Sequence, residues 1–159
     1  MSTRSRRRFL VSGASSLAAL ATLGGCSSPG LTGEPAAPAL GRVWISNFTD
    51  RARRIEVRVL RDGGVVHERA YDVPAARKSG EPGERDVECA WSNEAGHHVV
   101  RARHAGDDEW TSLDLTADSY PSEAYGINVA VGSDVSETDA ISMAAATDPA
   151  VVECGSRSS

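Results

Sequence analysis

Between Arg54 and Leu60 the chain reads Arg-Ile-Glu-Val-Arg-Val-Leu. In an extended backbone successive side chains point to opposite faces, so Ile55, Val57 and Val59 share one side while Glu56 and Arg58 share the other. The same texture recurs along most of the chain. Asp62-Gly63-Gly64 separates this run from a second, Val65 to Val73, and two such runs around an Asp-Gly turn form a hairpin. Arg42 to Phe48 alternates Val43 and Ile45 with Trp44 and Phe48. After a polar loop, Ala75 to Glu84, the run Arg85 to Trp91 places Val87, Cys89 and Trp91 on one face. His97 to Ala105 and Trp110 to Thr116 flank the turn Gly106-Asp107-Asp108-Glu109 and make a second hairpin. Tyr125 to Gly132 alternates Tyr125, Ile127, Val129 and Val131 with Gly126, Asn128 and Ala130. The alanines of Ala140 to Ala146 allow a helix, but their position argues for another strand, and Val151 to Cys154 reads as a short last one. No run keeps helical spacing. Seven or eight short strands at regular intervals predict an all-β fold, a single antiparallel β-sandwich spanning 42–155.

The first 25 residues follow a different rule. Met1 to Arg8 carries Arg4, Arg6, Arg7 and Arg8 with no acid, and the 17 residues from Phe9 to Gly25 carry no charge. A basic head, a short apolar stretch and a small-residue end are the pattern of a secretory signal. A spanning helix wants about 20 strongly apolar residues. This stretch is shorter and is interrupted by Thr22, three glycines and several serines, so a permanent membrane span is the weaker reading. Ser5-Arg6-Arg7-Arg8-Phe9-Leu10 resembles the twin-arginine export motif, in which Arg6 and Arg7 would be the pair that the export receptor reads. Leu23-Gly24-Gly25-Cys26 resembles a lipobox, which implies lipidation of Cys26 and a membrane-anchored, extracellular domain. Residues 26–41, rich in Ser, Pro, Gly, Thr and Ala, read as a flexible tether, and 156–159 as a disordered tail.

From Cys26 on, the chain would hold 134 residues, enough for one domain. It carries all 22 acidic residues and 13 of the 17 basic ones, for a net charge of −9, and its only lysine is Lys78. Such a surface is kept soluble by self-repulsion and is poorly suited to nucleic acid, which wants a basic face. With Cys26 given to lipid, Cys89 and Cys154 remain as an even pair in an oxidising compartment, where a disulfide persists; the alternative is two free thiols.

Acidity, a near-absence of lysine, the strand Ile45-Ser46-Asn47-Phe48-Thr49, the hairpin turn Asp62-Gly63-Gly64 and a C-terminal cysteine together resemble the small immunoglobulin-like lipoproteins of halophilic archaea. The resemblance implies an immunoglobulin-like sandwich of seven or eight strands. Standard immunoglobulin wiring does not fit. Trp91 follows Cys89 by two residues where a dozen or so would be expected, and Val152 stands where a tyrosine would precede Cys154.

The residues able to carry chemistry are few. His97, His98 and His104 lie on one predicted strand, with His98 and His104 sharing a face with Val100 and Ala102 and His97 opposed. A small metal-handling or electron-transfer protein would need three or four such ligands to converge. The competing expectation is half-buried and surface histidines with no metal. Asp107-Asp108-Glu109 and the loop Ser133 to Asp139 are oxygen-rich but lack calcium-loop spacing. Asn47-Phe48-Thr49 fits the N-glycosylation sequon, although Asn47 at a strand end equally suits a turn. Trp44, Trp91 and Trp110 read as core or core-edge residues, the alternative being an exposed aromatic patch for a sugar or a partner. No nucleophile elbow or phosphate loop is present. The sequence therefore predicts no catalytic residues and no cofactor. It points to a cell-surface protein with a binding or structural role, of which an accessory subunit of a membrane complex is one form, and it does not name the protein partner.

Overall fold

A computed structural model describes residues 36–132, 139–148 and 152–154. Eight strands follow in order: β1 Ala39–Asn47, β2 Arg53–Arg61, β3 Gly64–Val73, β4 Gly83–Asp86, β5 His98–His104, β6 Thr111–Leu115, β7 Ala124–Val131 and β8 Ile141–Ala146. They form two four-stranded sheets, ordered β4-β1-β7-β8 and β3-β2-β5-β6. The all-β sandwich expected from the alternation is present. Five of its six strand pairings are antiparallel, and β1 with β7 is the parallel exception. Among the described residues no helix is long and apolar enough to cross a membrane.

Period-two patterning accounts for the core. The fully buried side chains include Ile55, Val57 and Val59 of β2 and Ile127, Val129 and Val131 of β7, each set being alternate positions of one strand. β1 supplies Leu40, Val43 and Ile45 to the same cluster. Burying such side chains is worth roughly 1.5–3 kcal/mol each against leaving them exposed. The β2–β3 hairpin closes through Asp62 (φ 49°) and Gly63 (φ 82°), with Arg61 paired to Gly64. Two successive positive φ values give the primed turn whose twist matches the strands, hence the Asp-Gly pair.

Several boundaries differ from the sequence reading. β1 begins at Ala39, so Ala39, Leu40 and Gly41 belong to the sandwich and not to the tether. Between Leu40 and Val43 the β1–β7 register shifts, and the carbonyls of Leu40 and Gly41 lie at this irregularity. Trp91 Nε1 donates to both, at 3.1 and 3.0 Å. The expected strand Arg85–Trp91 is displaced toward the N-terminus. Pairing with β1 covers only Gly83–Asp86, after which the chain leaves the ladder so that Val87 and Trp91 enter the core while Cys89 stays exposed.

The expected final strand, Val151 to Cys154, is not found in its described part. The Val152 amide donates to Asp148 O at 3.2 Å, as in a helical turn. This turn presses on β1: a Cβ on Gly41 would sit 1.9 Å from Val152 O, so only glycine fits there. Cys89 and Cys154 form a disulfide, their Cα atoms 5.9 Å apart and 65 positions apart in sequence.

A disulfide closing so long a loop removes about 4 kcal/mol of denatured-state freedom in the chain-entropy account. The double variant Cys89→Ser, Cys154→Ser is therefore expected to lose about that much unfolding free energy in denaturant titration. A loss below about 1 kcal/mol would mean that loop closure contributes little and that packing alone holds the C-terminal turn.

Candidate functional site

The residues singled out from the sequence do not assemble into one centre. Arg6, Arg7 and Cys26 lie outside the described residues, as do most of the tether and the tail. The three histidines of the β5 region go separate ways. His97 Nε2 meets Asp114 Oδ1 at 2.6 Å on the solvent side. His104 Nε2 meets the Asp139 carbonyl at 2.7 Å. His98 is fully buried, with neither ring nitrogen in a well-formed hydrogen bond. Among the described residues no group of three or more His, Cys, Asp or Glu could hold a metal ion. The convergence that a metal-handling protein would need is thus missing from these histidines. The faces expected for them are as observed, since alternation along β5 places His98 with Val100 and Ala102 toward the core.

Asn47 is a turn residue in the folded domain. It is fully buried, and its Nδ2 donates to the carbonyls of Arg51 and Pro74, both at 2.8 Å. Its Oδ1 accepts from the Thr49 amide at 3.0 Å and the Thr49 hydroxyl at 2.7 Å. Both amide hydrogens are spent and the side chain is buried, so in place of the glycosylation expected of Asn47 the Asn-x-Thr triplet has a structural role. In the acidic loop, residues 133–138 lie outside the described set, and Asp139 pairs with Arg53.

The tryptophans divide. Trp91 is buried, whereas Trp44 and Trp110 are half-buried outside the core. Trp44 lies under Arg42, whose guanidinium carbon is 5.2 Å from the ring centroid. Trp110, just before β6, lies under two arginines, Arg58 at 4.7 Å and Arg103 at 4.3 Å. These belong to the outer face of the β3-β2-β5-β6 sheet, where alternation in β2 and β5 turns Glu56, Arg58, Arg101 and Arg103 away from the core. Cross-strand register sets Arg58 opposite Arg101, Glu56 opposite Arg103, and Arg101 opposite Ser112 of β6. Arg58 Nη2 donates to Glu68 at 2.7 Å, and Arg103 Nε to Glu56 at 2.6 Å. The hydrogen bond to Glu68 holds Arg58 above its ordinary pKa, and the same bond holds the Glu68 carboxyl below its own. An aromatic plate, two stacked guanidiniums and their carboxylates make a surface of fixed geometry, suited to recognising an oriented partner.

Sequence reasoning placed Trp110 in or near the core and gave the arginines no role. The alternation of β2 and β5 held the signal that they face outward; the juxtaposition itself needs the cross-strand register. No protein-family model matches the chain, and no curated protein matches it.

Two buried histidines, His98 and His67, bear on stability. Burial pushes the His98 imidazole below its ordinary pKa of 6.5, against the opposing pull of the Gly96 and Pro38 carbonyls; Arg61 adds to the lowering and Asp62 counters it. His67, whose Nε2 lies 2.9 Å from the Tyr71 hydroxyl, is also pushed down mainly by burial, with Glu88 opposing and Arg69 assisting. Groups with a folded pKa below the unfolded one cost nothing while both states are neutral. As pH falls through 6.5 the unfolded chain takes up protons that the folded chain does not, and stability is lost. Each such proton tilts stability by about 1.4 kcal/mol per pH unit. Unfolding free energy measured from pH 8 to pH 5 on buffers of about constant ionic strength is expected to fall below about pH 6.5. His98→Leu should flatten the slope; an unchanged slope would remove His98 as its source.

Proposed function

We propose that this chain is exported through the twin-arginine route, carries lipid on Cys26, and presents its sandwich at the outer face of the cell membrane as a binding or structural module and not as an enzyme. The observation that carries the reading is the Cys89–Cys154 disulfide. Disulfides of this kind form and persist in oxidising compartments, which agrees with the export motif around Arg6 and Arg7 and with the lipobox-like segment ending at Cys26. The two acyl chains that such processing leaves would hold the domain firmly. The acidity of the chain and its single lysine support a setting at high salt, where self-repulsion is screened.

The role that fits is proximity work. A domain tethered near the membrane meets partners in its neighbourhood at high effective concentration, so a modest interface suffices. The outer face around Trp110 has the composition of such an interface, since Trp and Arg are enriched among the residues that dominate binding energy. An accessory subunit of a membrane complex is the specific form of this reading.

Cell fractionation tests the anchor. Arg6→Lys with Arg7→Lys should leave the precursor inside the cell, and Cys26→Ser should release the domain or leave it unprocessed. An unchanged mature membrane form in either variant would overturn the corresponding claim. Crosslinking on intact cells at native salt, followed by membrane purification and mass spectrometry, tests the role: one abundant membrane partner is expected. Recovery of the lipidated protein alone would overturn the accessory-subunit reading.

A further inference from the structure

We propose that the outer face of the β3-β2-β5-β6 sheet receives the carboxylate of a protein partner, an Asp or Glu side chain, on the guanidinium of Arg101. The proposal deepens the reading of the domain as a binding module and rests on that reading for the class of partner.

Eleven arginines lie among the described residues. Nine pair with a carboxylate, and Arg85 donates to the Asp72 carbonyl. Arg101 alone has no hydrogen bond, ion pair or ring contact with a described residue. Its Nε is moreover buried without an acceptor. Leaving a charged donor out of water without a partner is costly, and the cost falls when an anion arrives. A second cost stands beside it. Arg58 and Arg101 are direct cross-strand neighbours, an arrangement of like charges that weakens a sheet. Glu68 answers for Arg58 and Glu56 for Arg103, and both cations are further held over Trp110. The frame around Arg101 is therefore fixed, and the position between its neighbours lacks one negative group.

The chemistry of that group follows from the donors. A guanidinium offers parallel N–H bonds that match the two oxygens of a carboxylate. Ser112, opposite Arg101 on β6 and exposed, adds a hydroxyl donor at the same row of the sheet. A polyanion is disfavoured. Glu56, Glu68, Asp72 and Asp114 lie at outward positions of the same sheet, and the chain from Cys26 on carries a net charge of −9, so a run of negative charges would meet repulsion where one carboxylate would not. A single acidic side chain on an apposed protein surface meets the requirement, and contact would also cover the half-buried Trp110.

The test uses the full-length nitrogen-15-labelled protein and nuclear magnetic resonance. The signals followed are Arg101 Nε–H, the Trp110 indole N–H and the Ser112 amide. The probe is the capped tripeptide acetyl-Gly-Glu-Gly-amide, with acetyl-Gly-Gln-Gly-amide and sodium chloride as controls at constant ionic strength. The Arg101 signal is expected to move saturably with the glutamate peptide and by about tenfold less with either control. Arg101→Gln should abolish the response at Trp110 and Ser112, and Arg101→Lys should weaken it about threefold, with no fall in melting temperature for either variant. Equal responses to the glutamate and glutamine peptides would overturn the proposal. So would a response to glucuronate about tenfold tighter than to the peptide, which would make a sugar acid the occupant. Export and lipidation are read on Arg6, Arg7 and Cys26, so either reading can fail without the other.

Discussion

At the register shift in β1 the carbonyls of Leu40 and Gly41 are met by two segments far off in the chain, and a disulfide ties those segments together. The Trp91 indole donates to both. The turn containing Val152 packs so closely on Gly41 that no Cβ is tolerated. The disulfide then ties the segment that carries Trp91 to the segment that carries Val152. Unpaired backbone carbonyls inside a protein are expensive, so a bulge in a buried strand persists only where such partners exist. β1 is the central strand that most needs this protection. It lies between β4 and β7 and is buried along almost its whole length. Covering its irregular start lets Leu40, Val43 and Ile45 seat against the other sheet, and the shared core follows from that.

The outer face of the opposite sheet is governed by electrostatics and stacking. Its cations are arginines, and the planar guanidinium can stack on an indole with one face while donating to a carboxylate along its edge. Arg58 and Arg103 do both at once. A lysine could not, because its ammonium is a point charge. The exposed ion pairs are worth little individually. Their effect here is to restrict where each side chain can point, and a surface so restricted would lose less entropy on binding.

What the sequence revealed and what it hid follow from the range of the interactions. Period-two alternation is local, so β2, β3, β5, β6 and β7 were legible to within about two residues, as was the inward face of His98. β4 was misplaced because Val87 and Trp91 alternate as a strand would, although their burial comes from tertiary packing and not from pairing. The start of β1 was missed because Ala39-Leu40-Gly41 follows a Pro- and Ala-rich stretch and has no alternation of its own. The parallel β1–β7 pairing and the isolation of Arg101 depend on residues far apart in the chain, and no window of sequence contains them. Asn47 shows the reverse case, a short motif that matched a modification signal and turned out to organise a turn.

The parallel pairing of β1 with β7 has a mechanical side. Ala39 stands beside Ala124, so the chain enters the sandwich at the end where β7 begins, and Asn47 and Val131 mark the far end. A pull applied upstream of Ala39 and directed along β1 meets hydrogen bonds to β4 and β7 that lie across the line of force. Bonds so arranged share the load in shear, whereas a strand drawn sideways from an edge gives them up one after another. Trp91 and the disulfide brace the same end. A load taken up at the N-terminal side of the domain would thus fall where the architecture resists tension best.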